Sequence, residues 1–457
     1  MPDRRQVLFG LAAVSFARPA KAAALQLRAA PGKAQLAPKG YGATDVWAFN
    51  GSVPGTTLRG TKGGRMRVAV ENGLSEPTSV HWHGLRLENP MDGVPGVTQD
   101  AIAAGASFDY DFRLPDAGTY WYHSHSRSFE QVARGLYGPL IVDEPDPPDV
   151  DADEILMLDD WRLVGEGAIA EGFGAIFDKA HGGRIGNWVT VNGQGEWKKP
   201  VPRGSRIRLR LINAANGRIF GLHLSGMTAS VVALDGQPTP RPLPTDTVSL
   251  APAQRVDLIA DISGDDGGEA VIASRERDGD FAIASFPIEA GKAPSSIEIP
   301  TLPSNNVPLP SQTDAMAAPV RELRMEGGAM GRMREAEFEG ESLDARTLAS
   351  RGMAWSFNGM AGMPEAPFAE VRRGETVRIA LINDTSWPHA MHLHGHHFLE
   401  FTRAAFGSIP NLRDTTVVAP NSQREIVFVA DNPGDWLLHC HMLEHAAAGM
   451  MTWLRVT

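Results

Sequence analysis

The chain contains a single cysteine among its 457 residues, Cys440. One cysteine excludes any disulfide within the chain, so an exported protein with this sequence depends on core packing, and on any bound metal, for its stability. Positive charge is also in short supply, because 43 Lys and Arg stand against 54 Asp and Glu and give a formal net charge of −11. We therefore expect no basic face, and nucleic acid is not an expected partner.

The sequence also lacks the run of about 18 apolar residues that a membrane-spanning helix needs. Its apolar stretch near the N-terminus is only about 11 residues long; it follows Arg4-Arg5 and precedes an alanine-rich region around Ala20–Ala22. This order resembles a twin-arginine export signal, which predicts a soluble mature protein that is periplasmic or otherwise exported by the twin-arginine machinery. A basic N-terminal arm on a cytoplasmic protein is the alternative.

Glycine and proline, by contrast, are abundant, with 48 and 33 copies. They favour a loop-rich globular protein built mostly of β-strands, and the length suits three domains of about 100–150 residues each. A repeat along the chain also indicates three domains. Three times, a glycine begins a run of alternating apolar and polar residues that ends in asparagine, and a histidine follows nine or ten residues later. The runs are Gly64–Asn72, Gly204–Asn213 and Gly374–Asn383, followed by His81-Trp82-His83-Gly84, His223-Leu224-Ser225-Gly226 and His392-Leu393-His394-Gly395.

Alternation marks a half-buried strand, so three copies predict three related β domains. A second repeat relates only the outer two: Gly118–His125 parallels Gly434–His441, with Ser124 in the position of Cys440. The middle copy has no His-x-His pair and has, by this interpretation, lost any metal role.

We predict an all-β fold of three consecutive Greek-key β-sandwich domains, since short strands bounded by Gly and Pro favour sandwiches over parallel α/β units. A proline-rich acidic stretch ends the first domain, and a stretch rich in Pro and Ser separates the second from the third. The predicted segments are 1–37 (export signal and N-terminal extension), 38–145 (first domain), 150–290 (second domain), 291–319 (linker) and 320–457 (third domain).

The lone cysteine stands in a segment with metal-ligand chemistry. Cys440, His445 and Met450 repeat at intervals of five residues. A thiolate, two imidazoles and a weak axial thioether form a blue-copper electron-transfer site, and we expect His389 to supply the second imidazole. Met450 could instead be a core methionine, since Met is a common gap filler.

His439 and His441 flank Cys440, so in an extended segment both point to the face opposite the cysteine, where we predict a second metal centre. The His-x-His pairs of the outer domains together supply eight imidazoles, which suit about three further copper ions. Electrons entering at Cys440 would pass through the backbone to its two neighbours. Four copper ions store the four electrons that convert O2 into water.

These motifs together resemble the four copper motifs of multicopper oxidases, and the resemblance extends over the whole mature chain. It implies three cupredoxin-like domains, with a trinuclear copper cluster between the first and the third. It also implies four copper ions with these ligands: type 1, His389, Cys440, His445 and Met450; type 2, His81 and His392; type 3, His83, His123, His125, His394, His439 and His441.

Two acids resemble those placed near the trinuclear site in bacterial copper-efflux oxidases and spore-coat laccases: Asp92, in Met91-Asp92-Gly93, and Glu444, beside His445. We expect both to relay protons to the reduced oxygen. The alternatives are a turn-forming Asp before glycine and a solvated surface Glu.

Other histidines and methionines lack ligand spacing. We expect His181 and His223 to be structural, and His396 and His397 to pack against or support the ligands. Methionines in the third domain could bind Cu(I), as in the insert of copper-efflux oxidases, or could serve packing and mobile loops. They are Met325, Met330, Met333, Met353, Met360 and Met363.

The leading functional hypothesis is a laccase-like oxidase that takes single electrons from phenols, aromatic amines or metal ions and reduces O2. A periplasmic cuprous oxidase for copper tolerance is the main alternative. A non-enzymatic alternative is an exported scaffold protein of the same fold, which the complete ligand set disfavours. A copper nitrite reductase would not need four His-x-His pairs in one chain. Since three domains can build the cluster within one chain, we expect a monomer.

Overall fold

The computed structural model describes residues 24–295, 297–401 and 411–457. The predicted export signal, around Arg4–Ala22, lies outside these residues. No helix within the described ranges is both long enough and apolar enough to cross a membrane. Strands make up 49% of the structure and helices are few and short, so the predicted all-β fold of three cupredoxin-like sandwiches is confirmed.

The first sandwich has two four-stranded sheets, with orders β2-β1-β4-β6 and β3-β8-β7-β5. Its first strand, β1, pairs with β2 and β4, so this sheet begins well before the predicted domain start at residue 38. The strands are β1 Leu25–Ala34, β2 Thr44–Phe49, β3 Leu58–Thr61, β4 Arg65–Asn72, β5 His81–His83, β6 Ser107–Arg113, β7 Gly118–His123 and β8 Tyr137–Asp143; the helices are a 3-10 turn Asn89–Met91 and α1 Ser128–Gln131.

The second sandwich has larger sheets, with orders β12-β9-β15-β20-β17-β18 and β13-β22-β21-β16-β19, and β14 pairs with β22. The strands are β9 Ala152–Trp161, β10 Leu163–Val164, β11 Ala168–Ile169, β12 Trp188–Val191, β13 Trp197–Lys198, β14 Val201–Pro202, β15 Arg206–Asn213, β16 Phe220–Ser225, β17 Met227–Leu234, β18 Gln237–Thr245, β19 Thr247–Leu250, β20 Arg255–Ile262, β21 Glu269–Glu276 and β22 Gly279–Glu289; the helix is α2 Ile176–Ala180.

The third sandwich has sheets of order β26-β23-β28-β33-β30-β31 and β27-β35-β34-β29-β32, plus the hairpin β24-β25. The strands are β23 Val320–Gly327, β24 Glu335–Phe338, β25 Glu341–Asp344, β26 Trp355–Phe357, β27 Ala369–Val371, β28 Thr376–Asn383, β29 His389–Leu393, β30 Phe398–Phe401, β31 Leu412–Arg413, β32 Thr415–Val418, β33 Ser422–Val429, β34 Gly434–Cys440 and β35 Met451–Val456; the helices are α3 Gln312–Ala317, α4 Ala345–Ser350 and α5 Leu443–Ala447.

The repeated asparagines occupy the same structural position in all three domains. Asn72, Asn213 and Asn383 end strands β4, β15 and β28, and all three are fully buried. In each case the side-chain oxygen accepts the backbone N–H two residues later at 2.9 Å, while the amide nitrogen donates to carbonyls of a distant strand or loop. The repeat in the sequence is thus a repeat of one strand ending and its hydrogen bonds.

The packing of the apolar side chains joins the first and third domains. One hydrophobic cluster runs through both of their cores and includes Trp82, Trp436 and Cys440, whereas the second domain has a cluster of its own. A third hydrophobic cluster contains Trp121, Trp161 and Leu443, one residue from each of the three domains, and lies where the domains meet. The contact between the first and third domains is therefore part of the core, and it is where the histidine-bearing strands meet.

Candidate metal centres

Four histidines of the first domain lie on or beside two adjacent strands. Strand β5 carries His81 and His83, and β7 ends at His123, with His125 two residues later. His81 lies directly opposite His123 in the register of the two strands. Since residues two apart on a strand share a face, each pair presents its imidazoles to one side of the sheet.

The third domain has the same arrangement. Strand β29 carries His392, β34 carries His439, and these two residues lie directly opposite each other. His394 and His441 follow two residues after them. The correspondence between the outer domains seen in the sequence is therefore present in strand register as well.

The two sets of four histidines face each other across the contact between the domains. The rings of His81 and His394 stack with centroids 4.0 Å apart, and those of His83 and His392 with centroids 3.8 Å apart. All eight imidazoles predicted for the second metal centre belong to this group, hereafter the histidine cluster. Its members are His81, His83, His123, His125, His392, His394, His439 and His441.

Hydrogen bonds from Nδ1 orient several of these rings. The Nδ1–H of His81 donates to the backbone carbonyl of Asp92 at 2.8 Å, and that of His392 donates to the carbonyl of Asp414 at 2.9 Å. A carbonyl oxygen only accepts, so Nδ1 carries the proton and Nε2 keeps its lone pair. The same holds for His123, which donates to the Ser124 carbonyl at 3.0 Å, and His439, which donates to the Cys440 carbonyl at 2.9 Å.

The lone pairs left on Nε2 have few partners. Nε2 of His394 lies 3.2 Å from Nε2 of His439, and Nε2 of His81 and of His392 are buried without a hydrogen bond in the described part of the chain. Facing lone pairs repel, and each unpartnered buried nitrogen costs about 1–3 kcal/mol. A metal ion between the rings removes both penalties, and imidazole is a good copper ligand.

Burial also keeps several imidazoles of the histidine cluster neutral, because it lowers their pKa values. The pKa of His125 falls to about 3, mainly because burial removes water from the charged form and further because the nearby His81 imidazole repels a second positive charge. Neutral imidazole is the form that binds a metal ion. Desolvation likewise lowers the pKa well below its ordinary value for His83, His123, His394, His439 and His441.

The second candidate centre lies inside the third domain, around the cysteine. Sγ of Cys440 lies 3.7 Å from Nδ1 of both His389 and His445, and these two Nδ1 atoms are 3.1 Å apart. All three side chains are fully buried. Nε2–H of His445 donates to the carbonyl of His181 at 2.5 Å, so Nδ1 of His445 presents its lone pair to the sulfur.

The surroundings of Cys440 also fit a metal ion. Burial, the largest cause, raises the pKa of the Cys440 thiol to about 12, so the thiol stays protonated unless a cation is near. A metal ion stabilises the thiolate. Met450, the predicted axial ligand, is fully buried in the same hydrophobic cluster, and its carbonyl accepts the Cys440 N–H at 3.1 Å.

Three neighbours of this centre were not predicted from the sequence. Oγ1 of Thr385 lies 2.9 Å from Nε2 of His389, and the ring of Trp355 packs against both histidines at 4.9 and 4.6 Å. His181, expected to be structural, contributes its carbonyl to His445. None of the three stands at ligand spacing from another candidate ligand, so no pattern in the sequence distinguishes them.

Of the two predicted acids, the structure brings Asp92 to the histidine cluster. Oδ2 of Asp92 accepts from Nδ1 of His394 at 2.9 Å, and Oδ1 lies 3.3 Å from Nδ1 of His81. Asp92 also ends the 3-10 turn Asn89–Met91, and Gly93 after it has φ +83°, where a side chain would collide with the Val80 carbonyl.

Glu444, the other predicted acid, makes its side-chain hydrogen bond to the second domain. It is fully buried, but its Oε1 accepts from Nδ2 of Asn216, in the second domain, at 2.8 Å, and Oε2 has no hydrogen-bond partner in the described chain. Burial is the main reason that its pKa is raised to about 7. None of the hydrogen bonds found for the described residues joins Glu444 to an imidazole of the histidine cluster, so its role as a proton relay stays a prediction.

A third acid, Asp414, does contact the cluster and was not predicted. It lies 3.4 Å from Nε2 of His83 and 3.6 Å from Nδ1 of His392, and it pairs with Arg255 of the second domain. Asp414 stands in Arg413-Asp414-Thr415, without a histidine, cysteine or glycine nearby that would mark it. Its contacts come from residues far away along the chain, so no local pattern could have identified it.

The remaining histidines and methionines fall into several environments. His397 lies 3.6 Å from Asp414, as a residue supporting the ligands would, while His396 packs between Phe428 and Trp436. The six methionines do not form one group. Met325 is in the main core, Met333 and Met353 pack against a small satellite core, Met360 is partly exposed, and Met330 and Met363 are exposed.

Comparison with known proteins agrees with the fold. Three family profiles described as multicopper oxidase match residues 32–147, 154–279 and 338–457. The multicopper oxidase MmcO of Mycobacterium tuberculosis is 31% identical to the chain, over 89% of this chain and 82% of its own length.

Two solved structures are similar over almost the whole chain. A multi-copper oxidase from Pseudomonas thermotolerans is 32% identical with a TM-score of 0.81, over 95% of this chain and 99% of its own. Lac15, from a marine microbial metagenome, is 43% identical with a TM-score of 0.77, over 95% of this chain and 100% of its own.

Proposed function

Because this chain belongs to the multicopper oxidase family, we propose that it couples one-electron oxidation of phenols, aromatic amines or metal ions at Cys440 to reduction of O2 at the histidine cluster. The chain is an oxidoreductase that uses oxygen and resembles laccases. One observation carries the assignment of the two centres. Cys440 contacts two imidazoles inside the third domain, while His439 and His441, its neighbours in sequence, contact imidazoles of the cluster.

We infer four copper ions per chain, with the ligands that the family resemblance implies. Support comes from the unpartnered Nε2 atoms, the neutral imidazoles and the buried thiol, all of which a copper ion would satisfy. The type 1 ion would be held by His389, Cys440, His445 and Met450. The type 2 ion would be held by His81 and His392, and the type 3 pair by His83, His123, His125, His394, His439 and His441.

Bound copper would supply one-electron redox chemistry at the first centre and four-electron reduction of O2, with four protons, to two waters at the second. The chain's own groups orient the ligands and move protons. Asp92 accepts a hydrogen bond from Nδ1 of His394 and has a second carboxylate oxygen near His81. We propose that this carboxylate transfers protons to the oxygen that is reduced in the cluster. We propose Glu444, which is buried and accepts a hydrogen bond from Asn216 of the second domain, as a second proton relay.

A cuprous oxidase for copper tolerance is the second candidate, favoured by one exposed methionine. Met330 is 76% exposed, and its neighbour Ala329 donates to the Ala180 carbonyl and accepts from the Trp387 indole, beside the segment that covers His445. A thioether binds Cu(I) well. Turnover on Cu(I) and on a phenol, compared between the wild type and Met330→Leu, separates the two functions. A selective loss on Cu(I) supports the second.

We also propose, from the N-terminal sequence, export through the twin-arginine machinery and a mature periplasmic or otherwise exported monomer. The domain ranges 38–145, 150–290 and 320–457 remain proposals, with the strand pairing of β1 arguing for an earlier start of the first domain. Export is tested by the size and compartment of the chain after expression with Arg4 and Arg5 both changed to Lys.

Cys440→Ser tests the proposed function. We expect this variant to lose the intense blue absorption and donor oxidation together, because a serine oxygen cannot replace the thiolate. Ser124→Ala, at the equivalent position of the first domain, is the matched control and should keep the blue absorption. Far fewer than four copper ions per wild-type chain, or undiminished donor oxidation by Cys440→Ser, would contradict the proposal.

A further inference from the structure

The second domain has no His-x-His pair, yet one of its side chains reaches the histidine cluster. Arg255, the first residue of β20, is fully buried. Its guanidinium makes a bidentate ion pair with Asp414 of the third domain, with Nη1 to Oδ1 at 2.9 Å and Nη2 to Oδ2 at 2.6 Å. Bidentate pairing fixes the carboxylate in orientation as well as in position.

The other nitrogen contacts of Arg255 tie the same guanidinium to the two remaining domains. Nε donates to the carbonyl of Thr119, on β7 of the first domain, at 3.2 Å, and Nη1 also donates to the carbonyl of Ala253 in its own domain at 3.1 Å. One buried side chain therefore holds groups of all three domains at the edge of the cluster.

Asp414, held in place by Arg255, in turn contacts two imidazoles of the cluster. Its Oδ1 lies 3.4 Å from Nε2 of His83, and its carbonyl accepts from Nδ1 of His392. Thr415 completes the contact, since its Oγ1 donates to Oδ1 of Asp414 at 2.8 Å and lies 3.1 Å from Nδ1 of His392. His83 belongs to the first domain and His392 to the third, and their rings are the closest stacked pair in the cluster.

Gly84, the residue after His83, gives independent support for this contact. Its φ is +86°, and a Cβ at this position would lie 2.2 Å from Nη2 of Arg255 and 2.6 Å from Oδ2 of Asp414. The glycine of the His-Trp-His-Gly motif is therefore explained by the ion pair. The chain accommodates Arg255 and Asp414 directly against the backbone that carries His83.

We propose that Arg255 is a positioning residue of the copper cluster, which through Asp414 sets the orientation of His83 and His392 and thereby, through His392, the affinity of the type 2 site. This inference rests on the proposed function. A buried Asp414 without Arg255 would be an uncompensated charge, so it would move away from the imidazoles or draw water to itself. His83 and His392 would then lose their shared support.

Arg255→Lys in the copper-loaded full chain tests the proposal, because lysine keeps the charge but cannot form the bidentate pair and the Thr119 bond together. We expect chelator competition to show type 2 copper held about 10–100-fold more weakly, as for other residues that orient metal ligands. The electron paramagnetic resonance signal of the mononuclear nonblue copper should fall accordingly, with the blue absorption unchanged.

Arg208→Lys is the matched control. Arg208 is equally buried in the same sheet and pairs with Asp257 and Glu144 at 2.7 and 2.8 Å, away from the histidine cluster. It should keep the type 2 signal. Should Arg255→Lys fail to fold, Asp414→Asn, which keeps the shape but weakens the guanidinium pair, carries the same expectation.

Wild-type affinity for type 2 copper in the Arg255 variant, or an equal loss in the Arg208 variant, would overturn the proposal. These outcomes differ from failure of the proposed function itself. In that case the unmodified chain would lack the blue absorption or the four copper ions.

Discussion

At the level of single residues, Asp92 orients histidines from two domains. Its side chain holds His394 of the third domain through Nδ1, and its backbone carbonyl holds His81 of the first. Both bonds leave Nε2 of the imidazole free to bind a metal ion. Asp92 thus contacts rings on either side of the domain boundary, as Asp414 does at the stacked pair His83 and His392.

We expect Asp92→Ala to weaken copper binding in the histidine cluster about 10–100-fold, because His394 loses the acceptor that fixes its ring. Asp92→Asn keeps a carbonyl acceptor and should lose less. Copper retained during titration with a chelator measures the effect, with the exposed Asp100→Ala as control. Equal copper retention by Asp92→Ala and the wild type would contradict this role.

At the scale of elements, the repeated strand ending explains why three domains without a common metal role share one pattern. Asn213 ends β15 in the second domain, where the histidine pair is absent, and makes the same bonds as its counterparts Asn72 and Asn383. The asparagine therefore stabilises the β-sandwich itself and has no part in metal binding. The histidines that follow it in the outer domains belong to the proposed copper cluster.

Asn213→Ala should lower the free energy of unfolding of the second domain by about 3 kcal/mol, since it removes the buried side chain that donates to the Leu250 carbonyl and accepts from the Ala215 N–H. Denaturant unfolding followed by tryptophan fluorescence measures the loss, and the exposed Gln423→Ala is the control. The blue absorption of the folded variant should be normal. A change below about 0.5 kcal/mol would contradict the assigned role.

Another element, α2 with the residues that follow it, covers the cysteine centre. His445 has no exposed surface, and its outer nitrogen donates to the carbonyl of His181. The ring of His181 stacks on Phe177 at 4.1 Å, and Phe177 is 67% exposed. We therefore expect an electron donor to meet this segment of the second domain before it meets any of the proposed copper ligands.

Phe177→Ala should lower kcat/KM for planar aromatic donors about 2–10-fold, because a stacked ring contributes about 0.5–1.5 kcal/mol. A small inorganic donor such as hexacyanoferrate(II) does not stack and should be oxidised at the wild-type rate. Phe281→Ala, which removes an exposed phenylalanine of β22, is the control. Identical losses for both classes of donor would show that the ring plays no part in recognition.

At the scale of the whole molecule, the fold and the separation into two centres could be predicted because they recur along the chain. Strand runs ending in asparagine appear three times, and the histidine pairs appear twice at equal spacing. His439 and Cys440 are neighbours on one strand and point to opposite faces, and His441 follows directly. Local periodicity carries that information.

Contacts between domains could not be predicted in this way. Arg255 and Asp414 are 159 residues apart, and Glu444 meets Asn216 across 228 residues. No periodicity links such pairs, and a buried arginine on a strand looks in sequence like any polar residue of an alternating run. The direction of the Glu444 side chain, towards the second domain, likewise depends on how the sandwiches pack together.

In the proposed mechanism, electrons collected at Cys440 leave only through the histidine cluster. His123→Ala removes one imidazole of the first domain that contacts His441 and leaves the cysteine centre intact. The variant is first reduced by a donor without oxygen until its blue colour disappears, and O2 is then admitted. We predict that the colour of the wild type returns rapidly and that of His123→Ala does not. Return of the colour at the wild-type rate in His123→Ala would contradict the claim.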